Sequence, residues 1–290
     1  MLRHESSVPT RPPRVVVMGA GGFVGNAVAT RLEKDGVSAL RLTRRDVDLL
    51  APGASDRLQA LLRPGDVFVA VSALAPCKTV DMLRDNMAVA AAMVKAVAGV
   101  GLGQVVNISS DAVYADSDEP LTERSVTAPD TLHGAMHLAR EVMFRSEIKV
   151  PLVTLRPTLI YGKGDPHNGY GPNRFCRLAM RGEPLVLFGK GEERRDHVLI
   201  DDVAEIATRV IYCKSVGILN VATGIVTSFR DIADAVVRFS DRALPVKETA
   251  RNGPMPHNGY RAFDIAACHE AFPDFAYIPL AEGLVRALQG

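Results

Sequence analysis

The sequence of 290 residues has no tryptophan, only four cysteines, and no marked excess of either charge. The cysteines lie far apart without paired spacing, which indicates neither a disulfide framework nor a zinc cluster. Lysine and arginine (34) nearly balance aspartate and glutamate (33), so the net charge of +1 favours neither a nucleic-acid partner nor an acidic tail. No apolar run approaches the ~20 residues of a membrane span. These absences favour a reduced, soluble, cytoplasmic protein with no membrane or nucleic-acid partner.

Short β-rich apolar runs alternate with segments of helical spacing through the first half of the chain. Because continuous apolar strands separated by helices are typical of a parallel sheet covered on both faces, we expect an α/β fold. The predicted strands are Arg14–Met18, Ser38–Leu42, Asp66–Val71, Gln104–Ile108 and Leu152–Leu155, and the predicted helices are Phe23–Asp35, Val80–Ala98 and Thr131–Ile148.

The pattern changes after Arg156-Pro157, where an irregular loop rich in glycine and proline (162–172) is expected to lie over a ligand site. A helix and a short strand then precede a segment predicted to return to the main sheet, and further helices follow. The first 13 residues are polar, and we expect a loose tail there. The predicted pieces are Pro172–Met180, Leu185–Phe188, Val198–Ile200, Asp201–Tyr212, Gly217–Val221, Ser228–Phe239 and Leu280–Leu288, with a polar loop at Ala250–Tyr260.

A glycine-rich turn stands between the first predicted strand and the first predicted helix, with glycines at Gly19, Gly22 and Gly25. Glycine permits the tight turn, the approach of a pyrophosphate to backbone N–H groups, and the packing of helix on strand. The helix then directs its positive end towards the anion. Strand, turn and helix occur in the required order, so we predict dinucleotide binding rather than a purely structural turn.

Three later segments carry a resemblance to a known family: Ile108–Tyr114 (ISSDAVY), Leu155–Gly162 (LRPTLIYG) and Arg195–Ala204 (RDHVLIDDVA). They resemble the active-site, nicotinamide and diphosphate segments of the extended short-chain dehydrogenase/reductases, the NAD(P)-dependent nucleotide-sugar epimerase/dehydratase family. Leu219–Gly224 and Phe263–Ile265 are weaker similarities. Arg44–Leu49 and Asp111 resemble the dTDP-dehydrorhamnose reductase branch, which reduces a keto-sugar with NADPH.

The resemblance implies a Rossmann-type doubly wound parallel sheet with a small interleaved C-terminal substrate domain. We place the dinucleotide-binding domain at 14–161 plus about 197–223, and the substrate domain at about 162–196 plus 224–290, after a flexible tail at 1–13. The implied ligand is a nucleotide-sugar. A homodimer through the helices predicted at Val80–Ala98 and Thr131–Ile148 is also implied.

The residues after the second strand, Thr43-Arg44-Arg45, bear on the choice of cofactor. An acidic residue there would bind a ribose 2′-hydroxyl, whereas an arginine fork suits the 2′-phosphate of NADP. We therefore favour NADP over NAD; the alternative is a pair of solvated surface arginines. The resemblance implies cofactor contacts at Gly19, Gly22, Phe23, Val24, Gly25, Thr43, Arg44, Arg45, Asp48, Leu49, Ser72, Ala73, Leu74, Pro157 and Leu159.

The resemblance also assigns substrate-binding residues. Ser110 would hydrogen-bond the reacting sugar oxygen, beside Asp111, unless it is an ordinary serine at a strand end. Arg195 would bind the substrate diphosphate with its planar fork, and Arg251 is a second candidate. The alternative for Arg195 is an ion pair with Glu193 or Asp196.

The chain departs from the family where a Tyr-x-x-x-Lys pair is expected, because it has His133 and His137 there. Residues four apart share one helix face, and histidine, with a pKa near ~6.5, can exchange a proton without a neighbouring cation. We therefore expect an oxidoreductase or epimerase with a histidine acid/base. The alternatives are a metal site formed by His133, His137 and Glu141, or a degenerate protein that binds cofactor and nucleotide-sugar without redox turnover.

Overall fold

The computed structural model describes residues 2–289, in which strands and helices alternate from Arg14 to Pro157. The strands are β1 (Arg3–His4), β2 (Arg14–Met18), β3 (Ser38–Leu42), β4 (Val67–Ala70), β5 (Gln104–Ile108), β6 (Leu152–Pro157), β7 (Leu159–Tyr161), β8 (Leu185–Phe188), β9 (Arg194–Leu199), β10 (Ser215–Val221), β11 (Val226–Ser228), β12 (Val246–Thr249) and β13 (Tyr260–Arg261). The helices are α1 (Phe23–Lys34), α2 (Ala54–Gln59), α3 (Val80–Val97), α4 (Leu132–Glu147), α5 (Pro172–Arg181), α6 (Ile200–Tyr212), α7 (Phe229–Phe239), α8 (Ala266–Ala271) and α9 (Leu280–Leu288).

The central sheet confirms the predicted α/β architecture. Its strand order is β1-β10-β6-β5-β4-β2-β3, and every neighbouring pair is parallel except β1 with β10. Helices α1 and α6 contribute to the apolar core on one face, and α3 and α4 to the core on the other. The chain leaves β2 towards β3 and returns to β4 on the opposite side. Such a switch point opens a crevice at the carboxyl ends of the strands, where ligands of open α/β sheets bind.

A second, smaller layer is built from β7, β9, β11 and β13, with β9 paired to the other three strands. The prediction that Val198–Ile200 returns to the main sheet was wrong, because these residues end β9 and begin α6. The physical reason is that β6 is already flanked by β5 and β10, which leaves no free edge beside it for β9. The return to the main sheet is made by β10.

The N-terminal segment is attached to the main sheet, and the expectation of a loose tail is corrected for residues 3–10. Strand β1 pairs with β10, and His4 Nδ1 lies 2.8 Å from Ser215 Oγ. The backbone N–H groups of Ser6 and Thr10 also donate to the carbonyls of Cys213 and Tyr212, at 3.1 and 2.9 Å. Met1 lies outside the described residues. The polar composition of this segment does not predict the attachment, because backbone groups form most of it.

The other predicted elements are confirmed to within a few residues at their ends, whereas several short ones were missed. The missed elements are β1, β7, α2, β11, β12, β13 and α8, none longer than six residues. Segments this short show too little periodicity to be recognised. No helix among residues 2–289 is long and apolar enough to span a bilayer.

Candidate active site

One cleft of about 1220 Å³ runs along the carboxyl ends of β2, β4 and β5 and reaches the second layer. It brings together nearly all of the site residues predicted from the sequence. The predicted residues that line it are Gly19, Gly22, Phe23, Val24, Thr43, Arg44, Arg45, Asp48, Leu49, Ser72, Ala73, Leu74, Ser110, Asp111, His133, His137, Pro157, Leu159 and Arg195. Gly25 and Arg251 are absent from the lining.

The glycine turn leaves no room for a side chain at Gly19 or Gly25. Gly19 has φ +102°, and a Cβ placed on it would lie 2.7 Å from the backbone nitrogen of Ser72. A Cβ on Gly25 would lie 2.2 Å from the carbonyl oxygen of Gly19, so Gly25 acts by allowing α1 to pack against the turn. Helix α1 begins at Phe23 with neither a capping side chain nor an acidic residue in its first turn. Its first N–H groups therefore offer a site for an anion.

The segment after β3 presents two arginines at the rim of the cleft. Arg44 donates to Asp48 at 3.2 and 3.3 Å, although its side chain is 73% exposed. The carboxylate of Asp46 turns back and accepts from both the N–H and the hydroxyl of Thr43, each at 2.8 Å. Those hydrogen bonds lower the pKa of Asp46. Both carboxylates of this segment thus have local partners, and the two guanidinium groups remain at the rim.

Ser110 caps a short 3₁₀ turn, residues 111–113, that follows β5. Its Oγ accepts from the N–H of Ala112 at 3.2 Å and donates to Asp111 Oδ1 at 3.3 Å. The other oxygen of Asp111 accepts from Arg261 Nε at 2.9 Å. Arg261, which sequence reasoning missed, is 2% exposed and ties the C-terminal region to the serine loop. Asp111 lines the cleft, but its carboxylate is already engaged.

Helix α4 places the two histidines against this loop. Thr131 caps the helix by accepting from the N–H of Gly134 at 3.1 Å. A Cβ on Gly134 would lie 2.1 Å from the carbonyl oxygen of Ala112, so glycine permits the close approach. His133 and His137 pack edge to face with ring centroids 4.7 Å apart. The N–H of Cys77, from the loop after β4, points at His133 Nδ1 at 3.4 Å.

Both histidines are held in an environment that opposes protonation. Burial lowers the pKa of His133; nearby Asp111 opposes this shift and His167 adds to it. Burial also lowers the pKa of His137, together with the charges of His133 and Arg140, to well below its usual range. His137 is 6% exposed, and its Nδ1 has no hydrogen-bond partner within residues 2–289. The pair is therefore neutral at physiological pH.

A buried network of Ser109, Glu141 and Arg156 lies beneath the site. Ser109 donates to Glu141 Oε1 at 2.5 Å, and Arg156 Nη2 donates to Glu141 Oε2 at 2.6 Å. Glu141 is thus committed to structure and does not join His133 and His137 as a ligand. Across residues 2–289, no cluster of three or more histidine, cysteine, aspartate or glutamate side chains is arranged to hold a metal ion.

Arg195 and Arg251 meet at one glutamate. Glu193 accepts from Arg195 Nη1 at 3.1 Å and from Arg251 Nη1 at 3.4 Å. The ion pair considered for Arg195 is present, with Glu193 as the partner. Burial lowers the pKa of Arg195, with Asp111 and Glu193 opposing that shift. Arg195 nevertheless lines the cleft, so the ion pair orients the guanidinium beside the open volume.

Comparisons with known proteins agree with this geometry. The sequence model of the NAD dependent epimerase/dehydratase family matches residues 15–222. The chain belongs to this family. The matched range contains the glycine turn, the serine loop, the histidine helix and Arg195.

Two curated relatives illustrate the range of activities in the family. The chain is 26% identical to a UDP-glucose 4-epimerase of Mycolicibacterium smegmatis over 254 residues, which cover 77% of this chain and 81% of the relative. It is 25% identical to a dTDP-4-dehydro-6-deoxy-D-allose reductase of Streptomyces bikiniensis over 311 aligned positions, with 93% of each chain covered. One relative is an epimerase and the other a reductase, so proteins similar to this chain carry out more than one reaction.

Solved structures confirm the Rossmann-type fold. MoeE5 in complex with UDP-glucose and NAD superposes with a TM-score of 0.80 at 22% identity, covering 95% of this chain and 97% of MoeE5. The Thermus thermophilus UDP-glucose 4-epimerase in complex with NAD gives 0.81 at 23% identity, covering 95% and 98%. At these identities the likeness concerns the fold.

Proposed function

We propose that this protein is an NADP-dependent oxidoreductase or epimerase that acts on a nucleotide-activated sugar. The observation that carries the proposal is the single continuous cleft, which joins the glycine turn, the arginine rim, Ser110 with His133, and Arg195. Its volume of about 1220 Å³ exceeds the roughly 300–1,000 Å³ that holds one drug-sized ligand. A cofactor and a nucleotide-sugar together need such a site.

The residues present fit a dinucleotide. The turn is tight, since a Cβ at Gly19 or Gly25 would meet protein backbone at 2.7 or 2.2 Å, and the uncapped start of α1 suits a pyrophosphate. NADP is favoured over NAD because Arg44 and Arg45 stand at the rim, where Asp46 is bonded to Thr43 and the charge of Asp48 is balanced by its ion pair with Arg44. When bound, the nicotinamide would supply or accept the hydride that the sugar carbon exchanges.

The remaining roles belong to side chains at the inner part of the cleft. Ser110 and His133 would hydrogen-bond the reacting sugar oxygen, and His137 would support His133 from behind. Arg195, oriented by Glu193, would bind the diphosphate with its remaining N–H groups.

A second candidate function is binding of cofactor and nucleotide-sugar without redox turnover. The neutral, buried His137 favours it, because the position offers no ammonium group to a ribose. The glycine turn is complete under both functions, so cofactor binding cannot separate them. Turnover must be measured.

Calorimetric titration with NADPH, NADH and a panel of UDP- and dTDP-sugars tests the proposal, followed by turnover assays on the same panel. Arg195→Lys should weaken nucleotide-sugar binding about tenfold or more, because a point charge cannot replace a bidentate fork. Cofactor affinity should stay unchanged. Arg286→Lys is the matched control, since Arg286 pairs with Asp201 and Glu282 at the surface. Failure of the parent to bind any nucleotide-sugar would overturn the proposal.

A further inference from the structure

The hydrogen bond between Cys77 and His133 fixes the proton of the imidazole. A backbone N–H can only donate, so His133 Nδ1, 3.4 Å from the Cys77 nitrogen, must present its lone pair. In the neutral ring the proton then sits on Nε2. A histidine in this form has no free lone pair with which to take a proton from a substrate hydroxyl. It can only donate a hydrogen bond from Nε2–H.

The groups around His133 act in the same direction as this tautomer. His137 stacks edge-on from the same helix, the Cys77 amide approaches from the loop after β4, and His167 lies in the loop after β7. Asp111, after β5, is the only one of these that favours a charged ring, and Arg261 already holds its carboxylate at 2.9 Å. Protonating Nδ1 would also break the bond to Cys77. The surroundings therefore keep His133 neutral.

A buried cation completes the arrangement. Arg140 is 2% exposed and donates only to neutral oxygens: Asn107 Oδ1 at 2.7 Å, and the carbonyls of Ser72 and Ala70 at 2.6 Å each. Within residues 2–289 its guanidinium forms no ion pair. Burial lowers its pKa to about 10, so it stays charged at neutral pH. An unpaired buried charge is costly and needs a reason beyond stability.

Arg140 lies where its charge can act on His137. It extends from the same helix as the two histidines. It donates to the carbonyl oxygens of Ser72, at the wall of the cleft, and of Ala70, at the end of β4. Its positive charge opposes an imidazolium at His137, which lies three residues earlier on the same face of α4. Position 137 lacks the lysine implied by the family resemblance, and Arg140 is a buried cation on the same helix.

We propose that His133 acts as a neutral Nε2–H donor that stabilises negative charge on the reacting sugar oxygen, with Arg140 as the positioning residue that keeps the neighbouring His137 neutral. The inference rests on the proposed function and deepens it. No proton passes through His133. In the reducing direction, the hydride that the bound nicotinamide would supply adds to the sugar carbonyl carbon, and the alkoxide oxygen takes its proton from water, which leaves hydroxide; oxidation is the reverse. The imidazole contributes a hydrogen bond to this oxygen throughout.

The tautomer is tested first, on the cofactor-free full chain, by ¹⁵N NMR of the histidine rings at neutral pH. His133 should show an unprotonated Nδ1 and a protonated Nε2, with its signals identified by their loss in His133→Gln. An Nδ1–H form, or an imidazolium, at neutral pH would overturn the proposal. This measurement does not depend on any ligand or on turnover.

The donor role is tested by two substitutions of His133. If His133 carried a proton, both substitutions would reduce turnover equally. The amide of His133→Gln can still donate a hydrogen bond, whereas His133→Phe cannot. We expect the Gln variant to keep turnover within about tenfold of the parent, and the Phe variant to lose ~10²–10⁴. Equal losses in both would overturn the donor role. His269→Gln, at an exposed site on α8, is the control.

Arg140→Met and Arg140→Lys test the cation. Without the charge, His137 should take up its proton at a higher pH in an NMR titration, and the Lys variant should restore the parent behaviour. Unchanged titration in the Met variant would overturn the role of Arg140, and the Lys variant shows whether the fold tolerates a change at this position. A parent that binds cofactor and nucleotide-sugar but reduces or oxidises none would overturn the donor role while binding stands. A parent that binds neither refutes the proposed function separately.

Discussion

The two ends of the cleft are built by different means. At the end proposed to bind the cofactor, the backbone of the glycine turn makes the site, and a Cβ added at Gly25 or Gly19 would meet backbone atoms at 2.2 or 2.7 Å. At the end proposed to be catalytic, side chains make the site, and their partners come from distant parts of the chain. His133 meets Cys77, 56 positions away, and Arg140 meets Ser72, 68 positions away. A backbone site tolerates little change, whereas a side-chain site can be rebuilt with other residues.

The largest effect is expected from restoring the tyrosine–lysine pair at the catalytic end. His133→Tyr with His137→Lys would place an ammonium group beside the guanidinium of Arg140, in a region where Arg140 has only neutral partners. Adding Arg140→Val removes one of the two cations. A buried charge left without a partner costs about 3–5 kcal/mol, and the hydrogen bonds lost with Arg140 offset part of this, so the triple variant should be more stable than the double variant by up to about 3 kcal/mol. Urea unfolding measures the difference.

Turnover of these variants sharpens the comparison further. If the parent is inert and the triple variant converts any nucleotide-sugar in a broad panel, catalysis was lost at α4 and the protein is a binding protein. If the parent turns over, the histidine site is an alternative solution. A double variant as stable as the triple variant would contradict this reasoning, since the two cations would then not repel each other measurably.

At the cofactor end, Gly25→Ala should be the most damaging small change. The new Cβ would lie 2.2 Å from the carbonyl oxygen of Gly19, so the turn or helix α1 must move. Overpacking of this kind costs about 1–3 kcal/mol, and NADPH binding should fall below detection in calorimetry. Glu270→Ala is the control, because Glu270 is exposed on α8 and does not line the cleft. Normal cofactor affinity in Gly25→Ala would show that the turn is less constrained than its geometry indicates.

The same difference explains how far the sequence could predict the molecule. Gly19, Gly22 and Gly25 stand next to their strand and helix, so adjacent residues carry the whole signal. The two histidines could be placed on one helix face by their spacing. Their charge state could not be predicted, because Cys77 and Arg140 reach them only through the fold. The apolar segment Val198–Ile200 was assigned to the wrong sheet for a related reason, since an apolar sequence does not reveal which sheet a strand joins.

The unfolding free energy at acid pH should depend on His137, at the histidine end of the cleft. Burial lowers the folded-state pKa of His137 well below its usual value, so the unfolded chain binds the proton more readily. The neutral ring thus contributes stability that is complete above about pH 6.5 and is lost as the pH falls below it. His137→Leu should remove up to about 2 kcal/mol of the loss between about pH 7 and about pH 5. Denaturant unfolding at both pH values measures this, with His269→Leu as control; an equal loss of unfolding free energy in parent and variant would mean that His137 takes up its proton as readily in the folded protein as in the unfolded chain.

The smallest effect is expected at the arginine rim, where the backbone site meets solvent. Arg44 is 73% exposed and already donates to Asp48 at 3.2 Å, so a 2′-phosphate must share or replace that partner. Arg44→Ala should therefore weaken NADPH only about tenfold and leave NADH nearly unchanged, with Arg63→Ala as a surface control. Asp48→Asn, which frees the guanidinium, should tighten NADPH by a smaller factor in the same fluorescence titration. Equal affinities of the parent for NADPH and NADH would remove the NADP preference and assign Arg44 and Arg45 to the solvated surface.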